Sequence, residues 1–357
     1  MFNKKSWFVP ELFSKVMLIV VAAVIGHLTW TPAAEARVIR IAIDTTTSPA
    51  APAGTVGPYE TIAGRAYGEI DPNDPLNAII QDIALAPTNA KGMVEYTATF
   101  RLDKPIDMSK SSGLMWQDAP NRGTRTFGSS YFGIAYGERN FGDVVLNVGW
   151  QGDNSGGTTQ VFPNTNDYVI VPVATNPDGT PITGLVLGRI VNHSGPNSQT
   201  VNVYVTPVPY QPATLDTTQA TLNTRAHEST DGVVRGLGTV ASSDWAWASC
   251  GATNPFPGKP SASQICLRNG FDPTLLYQVV FTAKNPYILG IGFAAFRDVA
   301  SFFKNQTQDD LGTLNPIGGK VQWAIARGYS QSGSFLKSFT GCGSHAGQIA
   351  MNVLKRL

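Results

Sequence analysis

The residues best suited to covalent chemistry cluster at Gly328-Tyr329-Ser330-Gln331-Ser332-Gly333, directly after the apolar run of residues 321–326. Apolar strand, small-residue turn and helix start are the parts of a nucleophile elbow. In such an elbow a serine is held in a strained backbone conformation and its hydroxyl is thrown clear of the sheet. Gly328 and the small residues after Ser330 meet the demand that strand and helix pass closely. Ser332 stands where the strict pattern has glycine, and Gly333 follows at once. The chemistry of such a serine is acyl transfer. It needs a base for the hydroxyl proton, an acid to orient the base, and N–H donors for the oxyanion.

Those partners are scarce. Of the histidines only His345 follows Ser330, and no Asp or Glu does. A helix of about eight residues after the elbow would carry His345 ~12 Å away, so it reads as a loop histidine. His193 lies in a turn and His227 in a polar stretch, and both read as solvated surface residues. No Cys and His spacing fits a zinc site. Gly290-Ile291-Gly292 is too short for a nucleotide loop, with no phosphate-binding lysine after it. No cofactor or metal is expected.

The elements that must hold this cluster come earlier. The N-terminus carries Lys4, Lys5 and Lys15, an apolar run at residues 16–25, and Ala34-Glu35-Ala36. Basic start, short apolar middle and A-x-A end make a secretory signal peptide cleaved after Ala36, implying a secreted or periplasmic protein. The run is short of the ~20 residues that span a bilayer, and no later stretch reads as a span. Charged residues are only 14% and net charge is +1, which gives nothing for nucleic acid to bind; Gly (36) and Pro (24) abound. The profile suits an exported, strand- and turn-rich chain.

Alternation predicts strands at residues 38–43, 62–70 and 94–102, and a β-branched run predicts another at 143–150. Between them lies a turn-rich loop with Asn121-Arg122-Gly123. Residues from about 161 to 245 read as a β-rich antiparallel insertion, with strands near 168–173, 185–191 and 201–205. Cys250 and Cys266 flank a Gly- and Pro-rich loop that a disulfide would order; two unpaired thiols are the alternative, and Cys342 is left over. An apolar stretch at 275–281 precedes a helix at 293–304, where Phe293, Phe296, Ala300 and Phe303 share one face as core packing. Helix, loop and elbow strand then read as a crossover onto a parallel sheet.

Taken in order, these segments resemble a family of exported bacterial α/β-hydrolase-domain proteins. The likeness rests on residues 65–71, Asn121-Arg122-Gly123, Gly149-Trp150-Gln151-Gly152-Asp153, residues 290–298 and the elbow. The elbow is also similar to that of cutinase-type esterases. The resemblance implies an α/β fold: a mainly parallel sheet of α/β-hydrolase type, with the β-rich insertion. It implies Ser330 as nucleophile, the N–H of Gln331 as one oxyanion donor, and the Arg122–Gly123 loop as source of a second. It also implies a small ester-like substrate. In relatives further strands after the elbow helix carry the acid and the histidine. Here the likeness ends near Phe339, so the C-terminal strands are expected to be missing, whether through a premature stop, a frameshift or a split gene. The expected function is a serine hydrolase of carboxylic esters or amides with little turnover. The alternatives are a non-catalytic exported binding protein, with Trp245 and Trp247 on a ligand surface rather than in a core, or a truncated gene product. Oligomeric state is left open.

Overall fold

The computed structural model describes residues 37–128, 136–154, 166–191, 198–201 and 210–341. The signal-peptide segment, His193, His345, Cys342 and most of the strand expected at 201–205 fall outside them.

Five strands come first: β1 (Arg37–Gly54), β2 (Gly57–Ile70), β3 (Val94–Pro105), β4 (Leu114–Asp118) and β5 (Val144–Val148). A two-residue strand, β6 (Val169–Ile170), pairs with β3. The chain then forms β7 (Thr183–Ile190), β8 (Ser198–Thr200), β9 (Gln211–Pro212), β10 (Ala220–Arg225), β11 (His227–Glu228), β12 (Val234–Arg235), β13 (Gly238–Val240), β14 (Trp245–Gly251), β15 (Asn254–Leu267) and β16 (Leu276–Lys284). Helix α1 (Ile291–Asn305), strand β17 (Trp323–Arg327) and helix α2 (Gln331–Gly341) follow.

The main sheet runs β1-β2-β3-β5-β4-β17. Tyr96, Ala98, Phe100 and Leu102 alternate along β3 and are all buried on one face. Helix α1 covers that face. Its residues Phe296, Val299, Ala300 and Phe303 recur at helical spacing and are fully buried, and the Phe303 ring meets Phe100 edge-on at 4.9 Å. Gln117 on β4 donates to the Phe296 carbonyl at 2.6 Å. Asn315 ends the helix: its Nδ2 donates to the carbonyls of Phe302, Phe303 and Gln306. The carbonyls of Phe302 and Phe303 are among the last of the helix, which lack intrahelical donors, and Phe302 O also accepts from Gln306 N at 2.9 Å. Gly292 is the closest approach at the helix start, where a Cβ would sit 1.9 Å from the Trp150 carbonyl oxygen. Backbone packing, not nucleotide binding, explains the glycine there.

The expected mainly parallel sheet of α/β-hydrolase type is corrected by this topology. Only β5-β4 and β4-β17 pair in parallel; β1-β2, β2-β3 and β3-β5 are antiparallel. The cause is local. Gly54 and Gly57 pair across a tight turn between β1 and β2, and a short hairpin can only yield antiparallel neighbours. The α/β reading also overstates the helices, since among the described residues only α1 and α2 are α-helical. Nor does β16 launch a crossover within one sheet. It pairs antiparallel with β7 and β10 in a second sheet, so the antiparallel region extends past residue 245 to Lys284.

That second region has its own core, built on Trp245, Trp247, Leu222, Ile265, Val279 and Phe281. Trp247 packs edge-on against Phe281 at 5.0 Å. Both tryptophans are buried, so they are core and not a ligand surface. Cys250 and Cys266 are disulfide-bonded, Cα to Cα 5.7 Å, between β14 and β15. The loop they flank is a hairpin, with β15 starting at Asn254.

Candidate functional site

β17 ends at Arg327 and α2 starts at Gln331, which leaves three residues to reverse the chain. Ser330 adopts φ +53°, the left-handed region that a residue with a Cβ enters only at a cost. Gly328 makes the reversal possible: a Cβ there would lie 2.5 Å from the Ser332 carbonyl oxygen. The Ser332 hydroxyl accepts from the Tyr329 N–H at 2.8 Å and donates to the Tyr329 carbonyl at 2.9 Å. Glycine at this position could do neither, so the departure from the strict pattern adds a clasp across the turn. Ser334 N donates to Ser330 O at 3.1 Å and opens the helix. Gln331, as first helical residue, has an N–H with no intrahelical acceptor. Ser330 itself is exposed.

A second turn rests against the first. Asn121 and Thr124 exchange backbone hydrogen bonds at 2.8 and 2.9 Å around Arg122 (φ +51°) and Gly123 (φ +82°). Two consecutive positive φ values define a tight reversal that favours glycine at its second position. The Asn121 side chain donates to the Tyr329 carbonyl at 2.6 Å, which ties this turn to the elbow. Gly123 is held from behind, its carbonyl accepting from Asp167 N at 2.8 Å. The loop after β5 completes the surround. The Trp150 indole donates to Pro120 O at 2.8 Å and stacks on Phe335 of α2 at 4.1 Å.

Beneath the elbow lies a buried charge cluster. Arg327 pairs with Asp118 at the end of β4 and with Glu138, and its Nη2 donates to Asp118 Oδ2 at 3.2 Å. Thr126 donates to the same oxygen at 3.0 Å. Burial pushes the Asp118 carboxyl above the usual carboxylate range, opposed by Arg327 and Thr126. Burial works against the Arg327 charge, but hydrogen bonds and attraction from Asp118 and then Glu138 outweigh it and raise its pKa. Asp118 is fully buried, so this cluster anchors the strand end that carries the elbow. It is not a free acid available to a base.

The fold therefore brings together Ser330, Gln331, Arg122 and Gly123, from segments some two hundred residues apart. Among the described residues it brings no histidine with them; His193 and His345 lie outside those residues. His227 sits on the β11–β12 hairpin opposite Arg235, and no hydrogen bond or ion pair among the described residues joins that hairpin to the elbow. Sequence reasoning missed Asn121 as the tether, Ser332 as a clasp, and the Arg327–Asp118–Glu138 cluster. The first two follow motif positions already singled out. The third has no local signal, because its members are far apart in the chain.

Among the described residues no group of three or more His, Cys, Asp or Glu side chains could hold a metal ion. No described helix is long and apolar enough to cross a membrane. No protein-family model matches the chain, and no curated protein or solved structure is significantly similar to it.

Proposed function

We propose that the chain is a serine hydrolase of carboxylic esters in which Ser330 is the acyl-accepting nucleophile. The observation that carries this reading is the positive φ of an exposed serine, Ser330, at a three-residue strand-to-helix reversal. In the reaction Ser330 Oγ bonds to the ester carbonyl carbon. The oxyanion is met by the N–H of Gln331 and by a donor from the Arg122–Gly123 turn. The carbon–alkoxide bond then breaks, the hydroxyl proton leaves with the alcohol, and water releases the acid. The relationship to exported bacterial α/β-hydrolase-domain proteins is proposed on the same motif, and the Cys250–Cys266 disulfide supports an oxidising, exported location.

The described residues offer Ser330 no base, and an unassisted serine hydroxyl is a poor nucleophile at neutral pH. Because the described residues supply no base, free imidazole in solution is expected to act as one and to speed turnover. The test is hydrolysis of p-nitrophenyl acetate with increasing imidazole, comparing the chain with Ser330→Ala. The expected result is an imidazole-dependent rate in the chain beyond that in the variant, together with fluorophosphonate labelling that Ser330→Ala abolishes. Equal rates and equal labelling in the two proteins would overturn the assignment.

A further inference from the structure

Away from the elbow, a cavity of about 220 Å³ opens between the segment after β2, the first turn of α1 and the far end of α2. Its walls include Leu76, Ile79, Ile80, Phe293 and Phe339, with Arg297 at the polar end. Leu76, Ile79 and Phe293 are all large apolar side chains left exposed, and their convergence on one hollow distinguishes it from scattered surface hydrophobes. Phe293 and Phe339 lie nearly coplanar in orientation, 4° apart, with ring centroids 6.2 Å apart. The volume lies between the ~150 Å³ that admits a benzene and the ~300 Å³ at which drug-sized pockets begin. One ring with a short substituent is the size that fits.

Arg297 decides the polarity of the occupant. Its Nε donates to Asp298 Oδ1 at 2.6 Å, and the Tyr96 hydroxyl donates to the other oxygen at 3.1 Å. The positive charge is thus already matched by a buried carboxylate, and an anionic ligand would meet Asp298 as well as Arg297. The Nη nitrogens of Arg297 make no hydrogen bond among the described residues, so what the cavity lacks is a neutral acceptor. We propose that this cavity is a binding site for a small neutral aromatic compound carrying a carbonyl, the ring against Phe293, Phe339, Ile79 and Leu76 and the carbonyl oxygen on Arg297. The site is separate from Ser330: Ser338 and Phe339 lie about two turns, ~12 Å, along α2 from the elbow. It does not depend on the acyl-transfer reading.

The test uses the full chain and 4′-fluoroacetophenone followed by fluorine NMR. Binding with a Kd of about 1 mM is the expectation for a ligand this small. Ile79→Asp, at an exposed position that leaves the fold intact, should weaken it by about tenfold, because a charge then faces the ring. The matching hydrocarbon, 4-fluoroethylbenzene, should bind about fivefold more weakly, the worth of one net hydrogen bond. Arg297→Lys, which keeps a cation beside Asp298 but removes the fork, should erase that preference. Circular dichroism checks that both variants are folded. No binding to the unmodified chain overturns the proposal; so does binding that Ile79→Asp leaves unchanged. Equal affinity for ketone and hydrocarbon overturns the role of Arg297.

Discussion

The two edges of the main sheet are finished in opposite ways. At one edge, β1 is bulged at several points along its pairing with β2 and carries Pro49 and Pro52. Its outer backbone groups are also covered: Asp309 accepts from Ile41 N at 2.9 Å, and Ile39 O accepts from Asp310 N at 3.1 Å. At the other edge, among the described residues, β17 is bonded only on its inner side. Trp323 N donates to Gly113 O and Arg327 O accepts from Ala119 N, each at 3.0 Å, so Ala324 and Ala326 turn their backbone groups outward. Trp323 is 68% exposed and Ile325 44%. Bulges, prolines and a covering loop are the devices that stop an edge from pairing with another chain. β1 has all three, and among the described residues β17 has none. The elbow thus sits on the least protected strand, held from below by Arg327 and from the side by β4.

That difference can be broken from either end. The largest effect is expected from Arg327→Met. It strands Asp118 as a buried charge, and losing one partner of a buried pair costs about 3–5 kcal/mol. Urea unfolding measures it, and a loss under 1 kcal/mol would show that the inner side of β17 is held by backbone pairing alone.

Asp309→Ala is next and acts on the protected edge. The carboxylate accepts from Ile41, Leu311 and Thr313 N–H groups, and hydrogen bonds to a charged group suggest a loss of roughly 2–3 kcal/mol. Burial alone would raise this pKa, but the three N–H donors outweigh it and hold it below the usual carboxylate value. The sign follows. The contribution is complete above the unfolded-state pKa of about 4 and is lost as pH falls through the lower folded value. The gap between the chain and Asp309→Ala should therefore be widest near neutrality and close in acid. A gap that widens as pH falls would mean the wrong group is titrating.

Ser332→Ala removes the elbow clasp and should cost about 1 kcal/mol. It should also reduce fluorophosphonate labelling of Ser330 more than that loss of stability explains. Unchanged labelling would show that Gly328 and Asn121 suffice to set the turn. The smallest change in stability, within about 0.5 kcal/mol, is expected from Trp323→Lys with Ile325→Lys. Their effect should appear in sedimentation velocity, as a lower tendency of the chain to associate through β17.

The motif Gly328-Tyr329-Ser330-Gln331-Ser332-Gly333 was readable because its constraints are local. A strand followed within three residues by a helix leaves few backbone paths, and each demands small residues at fixed places. The same holds for Phe296, Ala300 and Phe303 of the α1 stripe and for the alternation in β3; Phe293, expected on the same core face, is instead left 37% exposed at the helix start. Strand direction was not readable. Residues 143–150 look the same whether their neighbour runs with or against them, so a mainly parallel sheet was inferred where three of the five consecutive strand pairs are antiparallel. The apolar stretch at 275–281 was correctly extended, yet its pairing with β7 and β10 depends on segments about ninety and fifty residues earlier.

The sequence by itself determined where the chain must bend sharply, which faces of β3 and α1 must be buried, and which serine sits in a strained turn. These follow from the size and periodicity of neighbouring residues. Only the tertiary structure decided that Asn121 tethers the elbow, that Arg327 spends its charge on Asp118 and Glu138, and that β17 lies at a bare edge. Those facts depend on contacts between distant residues, and no local pattern encodes which of many equivalent polar or apolar partners a folded chain selects.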